Sequence, residues 1–235
     1  MQIFYAPGIG GGTYLLDERE SLHCIRVLRM VRGSQVRLID GKGNLYEGTI
    51  DKPDPKGCLI IVNKVINDFE NRPYHLHIAI SPLKNPERFE WFIEKSVEIG
   101  IDEITPVICK NTEKQRVKEG RINNIIISAM KQSLKARMTA FNKLCSFEDF
   151  IGSSCTGRKM IAICNPDIKR SGIDQVYSRG EDAVILIGPE GDFNKGEISS
   201  AIGNEFIPVH LGMSRLRTET AGIAACHSIY LLNQR

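Results

Sequence analysis

AVILIGPEGDFNKGEISSAIG, Ala183 to Gly203, passes from five apolar residues through a glycine-bearing loop into a polar-faced segment. A short apolar run followed by Gly-Pro punctuation reads as a buried strand, Ala183–Ile187. Asn194 with Glu197 three residues on is the signature of a helix start, which places a helix at about Lys195–Gly203. The pattern recurs at once. IPVHL (Ile207–Leu211) predicts a strand, GMSRLR (Gly212–Arg217) a loop, and Thr218–Leu232 a helix. Strand, loop and helix repeated in series predict a mostly parallel sheet covered by helices.

Working back toward the N-terminus, the same rhythm holds from about residue 74. Leu76–Ser81, Ile104–Ile108 and Met160–Cys164 read as strands. Pro86–Gly100 reads as a helix with Pro near its start, Gly at its end and a buried stripe of Phe89, Phe92, Ile93 and Val97. Gly120–Ala136 reads as a second helix. In the last helix Ala221, Ala224, Ala225, Ile229 and Leu232 share a face, small enough for another helix, a sheet or a partner subunit to come close. Residues 1–70 have a different texture. Val36–Ile50 is two short strands about Asp40-Gly41-Lys42-Gly43, a hairpin signal, and Cys58–Ile66 is another strand. Short strands of this kind suggest a small barrel, with the polar, Pro-containing Asn67–Tyr74 as linker.

Composition sets the class. At 235 residues, with 42% apolar and 25% charged residues, the chain is an ordinary globular protein of one large or two small domains. No run approaches the ~20 apolar residues of a membrane span, and MQIFYAPGIGGG lacks the charged and apolar regions of a secretory signal. Seven scattered cysteines without a Cys-x-x-Cys pair read as buried free thiols in a reducing compartment, and neither they nor the five dispersed histidines predict a metal site. The net charge is only +3, yet Arg19–Arg37 holds five basic residues against one acid, and Ile108–Lys143 nine against two. Clustered Lys and Arg are what a polyanion partner selects, and equally what a solvated basic face looks like.

Three strand ends are candidates for a ligand site: Cys164–Asp167, Gly188–Phe193 and Gly212–Arg217. Open α/β sheets bind ligands at the carboxyl ends of their strands. Glycines there let the backbone approach a ligand, and exposed backbone groups suit the edges of an adenine ring; each loop taken singly is also an ordinary turn. The Walker phosphate loop is absent, and Gly8–Gly12 opens no convincing helix.

LIGPEGDF (Leu186–Phe193) with LGMSRLRTETAGIAA (Leu211–Ala225) resembles the paired signature of the ribosomal RNA small subunit methyltransferase E family, of the knotted SPOUT class. HCIRVLRMVRGSQVRLIDGKG (His23–Gly43), IEKSVEIGIDEITPV (Ile93–Val107) and Lys131-Gln132-Ser133 are similar to its other motifs, in order along essentially the whole chain. Three places depart from the pattern: Asp192 stands for the commoner second glycine, Met213-Ser214 for a Pro-containing pair, and Leu134-Lys135 for Gly-Arg. The resemblance implies an α/β protein with a small N-terminal PUA-like β-barrel (residues 1–70, RNA-binding) followed by a SPOUT methyltransferase domain (residues 74–235) with a C-terminal trefoil knot. It implies a cytoplasmic homodimer that uses S-adenosylmethionine to methylate N3 of uridine 1498 in 16S rRNA, within the 30S subunit, with no metal and no membrane partner.

By the same resemblance Gly188, Pro189, Glu190, Gly191, Leu211, Gly212 and Leu216 enclose the methyl donor. Arg217 is then the candidate catalytic residue, with Arg215 second, since a fixed guanidinium stabilises charge that spreads onto the uracil carbonyls. An ion pair from Arg217 to Glu190 or Glu219 is the plainer role, and Glu219 reads as structural, at a helix start, before it reads as a base. The acceptor of the N3 proton stays open. His23, Arg26, Arg29, Lys110, Lys114, Arg116 and Lys118 are the expected RNA contacts, with a partly buried barrel position equally open to His23. A knotted-class enzyme acting on another RNA and a non-enzymatic RNA-binding module are the rival readings.

Overall fold

The computed structural model describes residues 2–234. The chain forms two compact units, one running to Asn71 and including Ile127–Met138, the other made of Arg72–Ile126 and Thr139 onward.

The first unit carries a five-stranded sheet in the order β1-β3-β4-β5-β2. Its strands are β1 (Ile3–Tyr5), β2 (Thr13–Leu15), β3 (Gln35–Ile39), β4 (Leu45–Lys52) and β5 (Leu59–Ile66). The hairpin about Asp40–Gly43 forms as the turn residues predict, and Asp40 organises it by accepting the N–H groups of Lys42 and Asn44. β1 and β2, with only three residues each, carry too little periodicity to be read from sequence. Between β2 and β3 the chain forms helix α1 (Glu18–Leu22) and a π-helical turn over His23–Val27. Phe4, Leu16, Cys24, Val36, Leu38, Ile50 and Ile60 pack the core of this unit.

The second unit is built on a parallel sheet in the order β11-β13-β10-β12-β6-β7-β8. Its strands are β6 (Leu76–Ile80), β7 (Glu103–Ile108), β8 (Ala140–Phe141), β9 (Cys145–Ser146), β10 (Arg158–Ala162), β11 (Ser171–Gly172), β12 (Ala183–Ile187) and β13 (Ile207–His210), with β9 pairing in parallel beside the end of β7. β6 and β12 are buried at every position, which is why they read as continuous apolar runs rather than as alternation. The helices of this unit are α2 (Pro86–Ile99), α4 (Phe147–Gly152), α5 (Ile173–Val176), α6 (Lys195–Gly203) and α7 (Thr218–Gln234), while α3 (Glu119–Gln132) starts in this unit and ends in the first. Phe89, Phe92, Ile93 and Val97 of α2 are buried as predicted, and Asn194 and Glu197 form a reciprocal capping box at the start of α6.

Two helix expectations need correction. α3 stops at Gln132, not Ala136, because Leu134 turns left-handed (φ 60°) and Lys135 N–H bonds back to Met130 C=O, closing the helix without a glycine. In α7 the fully buried stripe is Gly222, Ala225, Cys226 and Ile229, while Ala221, Ala224 and Leu232 are half-buried. The close approach is made at Gly222, where an added Cβ would stand 2.5 Å from Phe92 of α2 and 3.1 Å from Ile80 of β6. Helix and sheet of the same chain therefore account for the small residue at Gly222.

Candidate active site

β10, β12 and β13 are adjacent and parallel, so their carboxyl ends deliver three loops to one place. They frame a cavity of 660 Å³, within the few-hundred to ~1,000 Å³ range of small-molecule sites. Its walls include Ile163 and Cys164 after β10, Gly188, Pro189, Glu190 and Asp192 after β12, and the run Leu211–Glu219 after β13. Arg88, from the first turn of α2, completes it.

The loops are fastened to one another by side chains. Asp192 adopts φ 60°, a left-handed conformation that glycine takes freely. Its carboxylate accepts the N–H of Cys164 at 3.0 Å and of Phe193 at 2.8 Å, tying the β12 loop to the β10 loop. From the segment after β7, Asn111 donates to the carbonyls of Gly191 (3.2 Å) and Asp192 (2.9 Å). Glu197, buried at the start of α6, accepts the N–H of Asn194 at 2.8 Å and of Lys110 at 2.6 Å. Glu190 accepts the N–H of Lys84 at 3.1 Å. Burial, and after it the Asp192 carboxylate, raises the Cys164 thiol above its ordinary value. Cys164 is nonetheless exposed, which corrects the expectation of uniformly buried thiols.

Charged groups facing the cavity are less fully engaged. Arg215 and Arg217 are exposed, and among the described residues neither makes an ion pair. The expected alternative for Arg217, a bridge to Glu190 or Glu219, does not form. Glu219 faces Arg88 instead, Oε1 to Nε at 3.8 Å, longer than a hydrogen bond. The Glu219 side chain is only 8% exposed and lines the cavity with Arg88 as its charged neighbour.

Six of the seven residues expected around the donor line this cavity: Gly188, Pro189, Glu190, Leu211, Gly212 and Leu216. Gly191 lies beyond the lining, against Asn111. Arg217 is in the lining. Sequence reasoning missed Arg88 and Arg170; the latter lines the cavity while donating to Ile163 C=O at 2.8 Å. No spacing links Arg88 to a loop some 130 residues later, so nothing in the sequence signals it.

The expected RNA contacts fall on both units. His23, Arg26 and Arg29 are exposed on or beside the π-helical turn of the first unit, so His23 is not a buried barrel residue. Lys110, Arg116 and Lys118 are exposed and Lys114 half-exposed, on the second unit, along the irregular segment between β7 and α3. Other basic residues of the same clusters are already paired: Arg32 with Asp51, Arg37 with Glu47, Arg121 with Glu90 and Lys131 with Glu20.

A second cavity, of 350 Å³, lies against the starts of β6 and β7 and is lined by His75, His77, Glu103, Thr105 and Asn142 among others. Its inner polar groups bond one another. His77 Nε2 is 2.7 Å from Thr105 Oγ1, and Asn142 donates to both Glu103 (2.5 Å) and Thr105 (2.8 Å). Burial lowers the His77 imidazole to about 4, against the attraction of Glu103.

The RNA methyltransferase domain family matches residues 70–230, more than half of the chain, and the RNA methyltransferase PUA domain family matches residues 16–63. The curated ribosomal RNA small subunit methyltransferase E of Bacillus subtilis is 25% identical over 92% of this chain and 89% of its own length. The chain belongs to the ribosomal RNA small subunit methyltransferase E family. Among solved structures, a "probable rRNA-methyltransferase" from Porphyromonas gingivalis is 39% identical, with a TM-score of 0.93 over 100% of this chain and 99% of that one. A Legionella pneumophila protein solved in complex with the bound cofactor SAM is 28% identical, with a TM-score of 0.85 over 97% and 96%. The α/β architecture, with its PUA-like N-terminal unit and methyltransferase domain, is that of the family.

Proposed function

We propose that this chain transfers a methyl group from S-adenosylmethionine to N3 of uridine 1498 in 16S rRNA, on the 30S subunit. The observation that carries the reading is the cavity at the ends of β10, β12 and β13, with Arg217 unpaired on its wall. The cavity suits such a donor: its volume is adequate, Gly212 at φ 107° brings bare backbone to its edge, and one side is cationic. Gly188, Pro189, Glu190, Leu211, Gly212 and Leu216 hold the donor in this reading, while Gly191 lets the loop pass Asn111. When bound, the donor supplies an activated methyl on a sulfonium. The rest of the chemistry belongs to the protein. Arg217 faces the uracil and stabilises the negative charge that reaches its carbonyl oxygens as N3 loses its proton. A guanidinium suits this role because it never titrates near neutral pH.

The target base lies in folded RNA and must be extruded to enter the pocket. Residues 1–70 serve as the RNA-binding barrel and 74–235 as the methyltransferase domain. His23, Arg26, Arg29, Lys110, Lys114, Arg116 and Lys118 hold the phosphate backbone; among the described residues none of them makes an ion pair, unlike Arg32, Arg37 and Arg121. The segment from β12 to α7 forms the trefoil knot that the resemblance implies. The protein works as a homodimer in the cytoplasm, and sedimentation equilibrium is expected to return twice 26.3 kDa.

The test is to incubate the protein with S-adenosylmethionine and 30S subunits lacking the modification, then map methylated nucleosides by mass spectrometry. N3-methyluridine at position 1498 is expected. Methylation of another nucleotide replaces the target, and donor binding without transfer to any 30S site replaces the substrate. Failure to bind the donor removes the enzyme reading altogether.

A further inference from the structure

Three carboxylates line the active-site cavity, and two are spoken for: Asp192 by the N–H groups of Cys164 and Phe193, Glu190 by the N–H of Lys84. Glu219 differs. Its side chain is more than nine-tenths buried and lines the cavity, and its nearest charged partner, Arg88, stands at 3.8 Å, beyond hydrogen-bond distance. A carboxylate that is mostly buried and open only toward the cavity favours a hydrogen-bond donor in whatever fills that cavity. Its position in the first turn of α7 compensates in part, as does Arg88 at 3.8 Å, but neither saturates the oxygens.

The missing partner has a definable shape. Arg88 and Arg217 line the same cavity as Glu219, so donor, acceptor and donor groups face one space. The imide edge of uracil is the complement: a carbonyl acceptor, the N3–H donor, and a second carbonyl acceptor. Cytosine presents an acceptor at N3 and an amino donor beside it, which would set lone pair against carboxylate and N–H against guanidinium. A site built to hydrogen-bond one such edge rejects the mismatched one strongly, because its buried polar groups are then unpaired.

We propose that Glu219 receives the N3–H of the target uracil and accepts its proton, with Arg88 and Arg217 reading the flanking carbonyls. The inference rests on the uridine reading given above. In the step, the N3–H bond breaks and the proton passes to a Glu219 carboxylate oxygen. The N3 electron pair forms the new bond to the methyl carbon as the carbon–sulfur bond of the donor breaks, that pair remaining on sulfur as a neutral thioether. Glu219 returns the proton to solvent once the methylated base has left.

The test is a single-turnover comparison of the wild-type protein and Glu219→Gln. The substrates are 30S subunits reconstituted with 16S RNA containing either uridine or 5-fluorouridine, whose N3 proton is the more acidic. Donor affinity is measured by calorimetry on the same preparations. With uridine, Glu219→Gln is expected to be slower by about 10²-fold or more, with donor affinity unchanged. With 5-fluorouridine the defect shrinks by about tenfold or more, because an easier proton needs less of a base. A second readout needs no turnover: with S-adenosylhomocysteine bound, wild-type protein is expected to prefer uridine-1498 over cytidine-1498 subunits in affinity, and Arg88→Ala to lose that preference. An equal defect on both substrates, wild-type rates in Glu219→Gln, or loss of its donor binding overturns the proposal. Wild-type protein that binds the donor but yields no N3-methyluridine overturns the uridine reading on which it stands.

Discussion

The two cavities of the second unit use the same kinds of residue and are finished differently. At the starts of β6 and β7, His77, Glu103, Thr105 and Asn142 spend their hydrogen bonds on each other. At the ends of β10, β12 and β13, Arg215 and Arg217 make no ion pair among the described residues and Glu219 has only Arg88 at 3.8 Å, although the loops that carry them are tightly fastened. A buried polar network that closes on itself rigidifies a fold; one left open at the centre of a braced frame is prepared for a ligand. The contrast shows why polar residues in a cavity are poor evidence of function until their partners have been counted.

The contrast can be broken most sharply at Arg217. Arg217→Ala is expected to slow methyl transfer by about 10²- to 10³-fold, with donor affinity and urea-unfolding midpoint near those of the wild type, since no ion pair is lost. A matching loss of stability would mean that Arg217 is structural after all. In the second cavity the expectation reverses. The folded-state value of His77, about 4, lies below the 6.5 of a free imidazole, so the unfolded chain takes up the proton first as the pH falls. The stability His77 contributes is therefore whole above about pH 6.5 and is lost toward pH 4, at up to about 1.4 kcal/mol per pH unit. Urea unfolding between pH 7 and 4 should display that slope; His77→Gln should flatten it and leave the methylation rate alone. The smallest effect sharpens the frame itself. Asp192→Ala keeps the left-handed backbone but loses the bond to Cys164 N–H, for a cost of about 1–2 kcal/mol. Asp192→Gly loses the same bond yet relieves the backbone, so its unfolding midpoint should lie above that of Asp192→Ala.

Much of the fold is local and was therefore legible. β6, β12 and α2 announce themselves by apolar runs, Pro and Gly placement and a periodic stripe, and the α6 capping box reads directly from Asn194 and Glu197. α3 was overrun because its end depends on Leu134 in a conformation that glycine usually marks. Leu134 and Asp192, where the resemblance leads one to expect glycine, both have positive φ. The buried stripe of α7 was misphased because Gly222, having no side chain, does not register as apolar, yet it is the position that Phe92 and Ile80 approach most closely. Charge clusters counted along the chain mixed free cations with paired ones, since Asp51, Glu47 and Glu90 lie outside the windows counted. The loops of the cavity were readable; Arg88, which meets them only through the tertiary fold, was not.

Photo-crosslinking distinguishes donor binding in the open cavity from binding in the closed one. The protein would be irradiated with S-adenosylmethionine radiolabelled in its methyl group, digested, and the labelled peptides mapped. The account predicts label within residues 186–193 and 211–217, competed away by S-adenosylhomocysteine. Competed label confined to peptides bearing His75, Glu103 or Asn142 would contradict it.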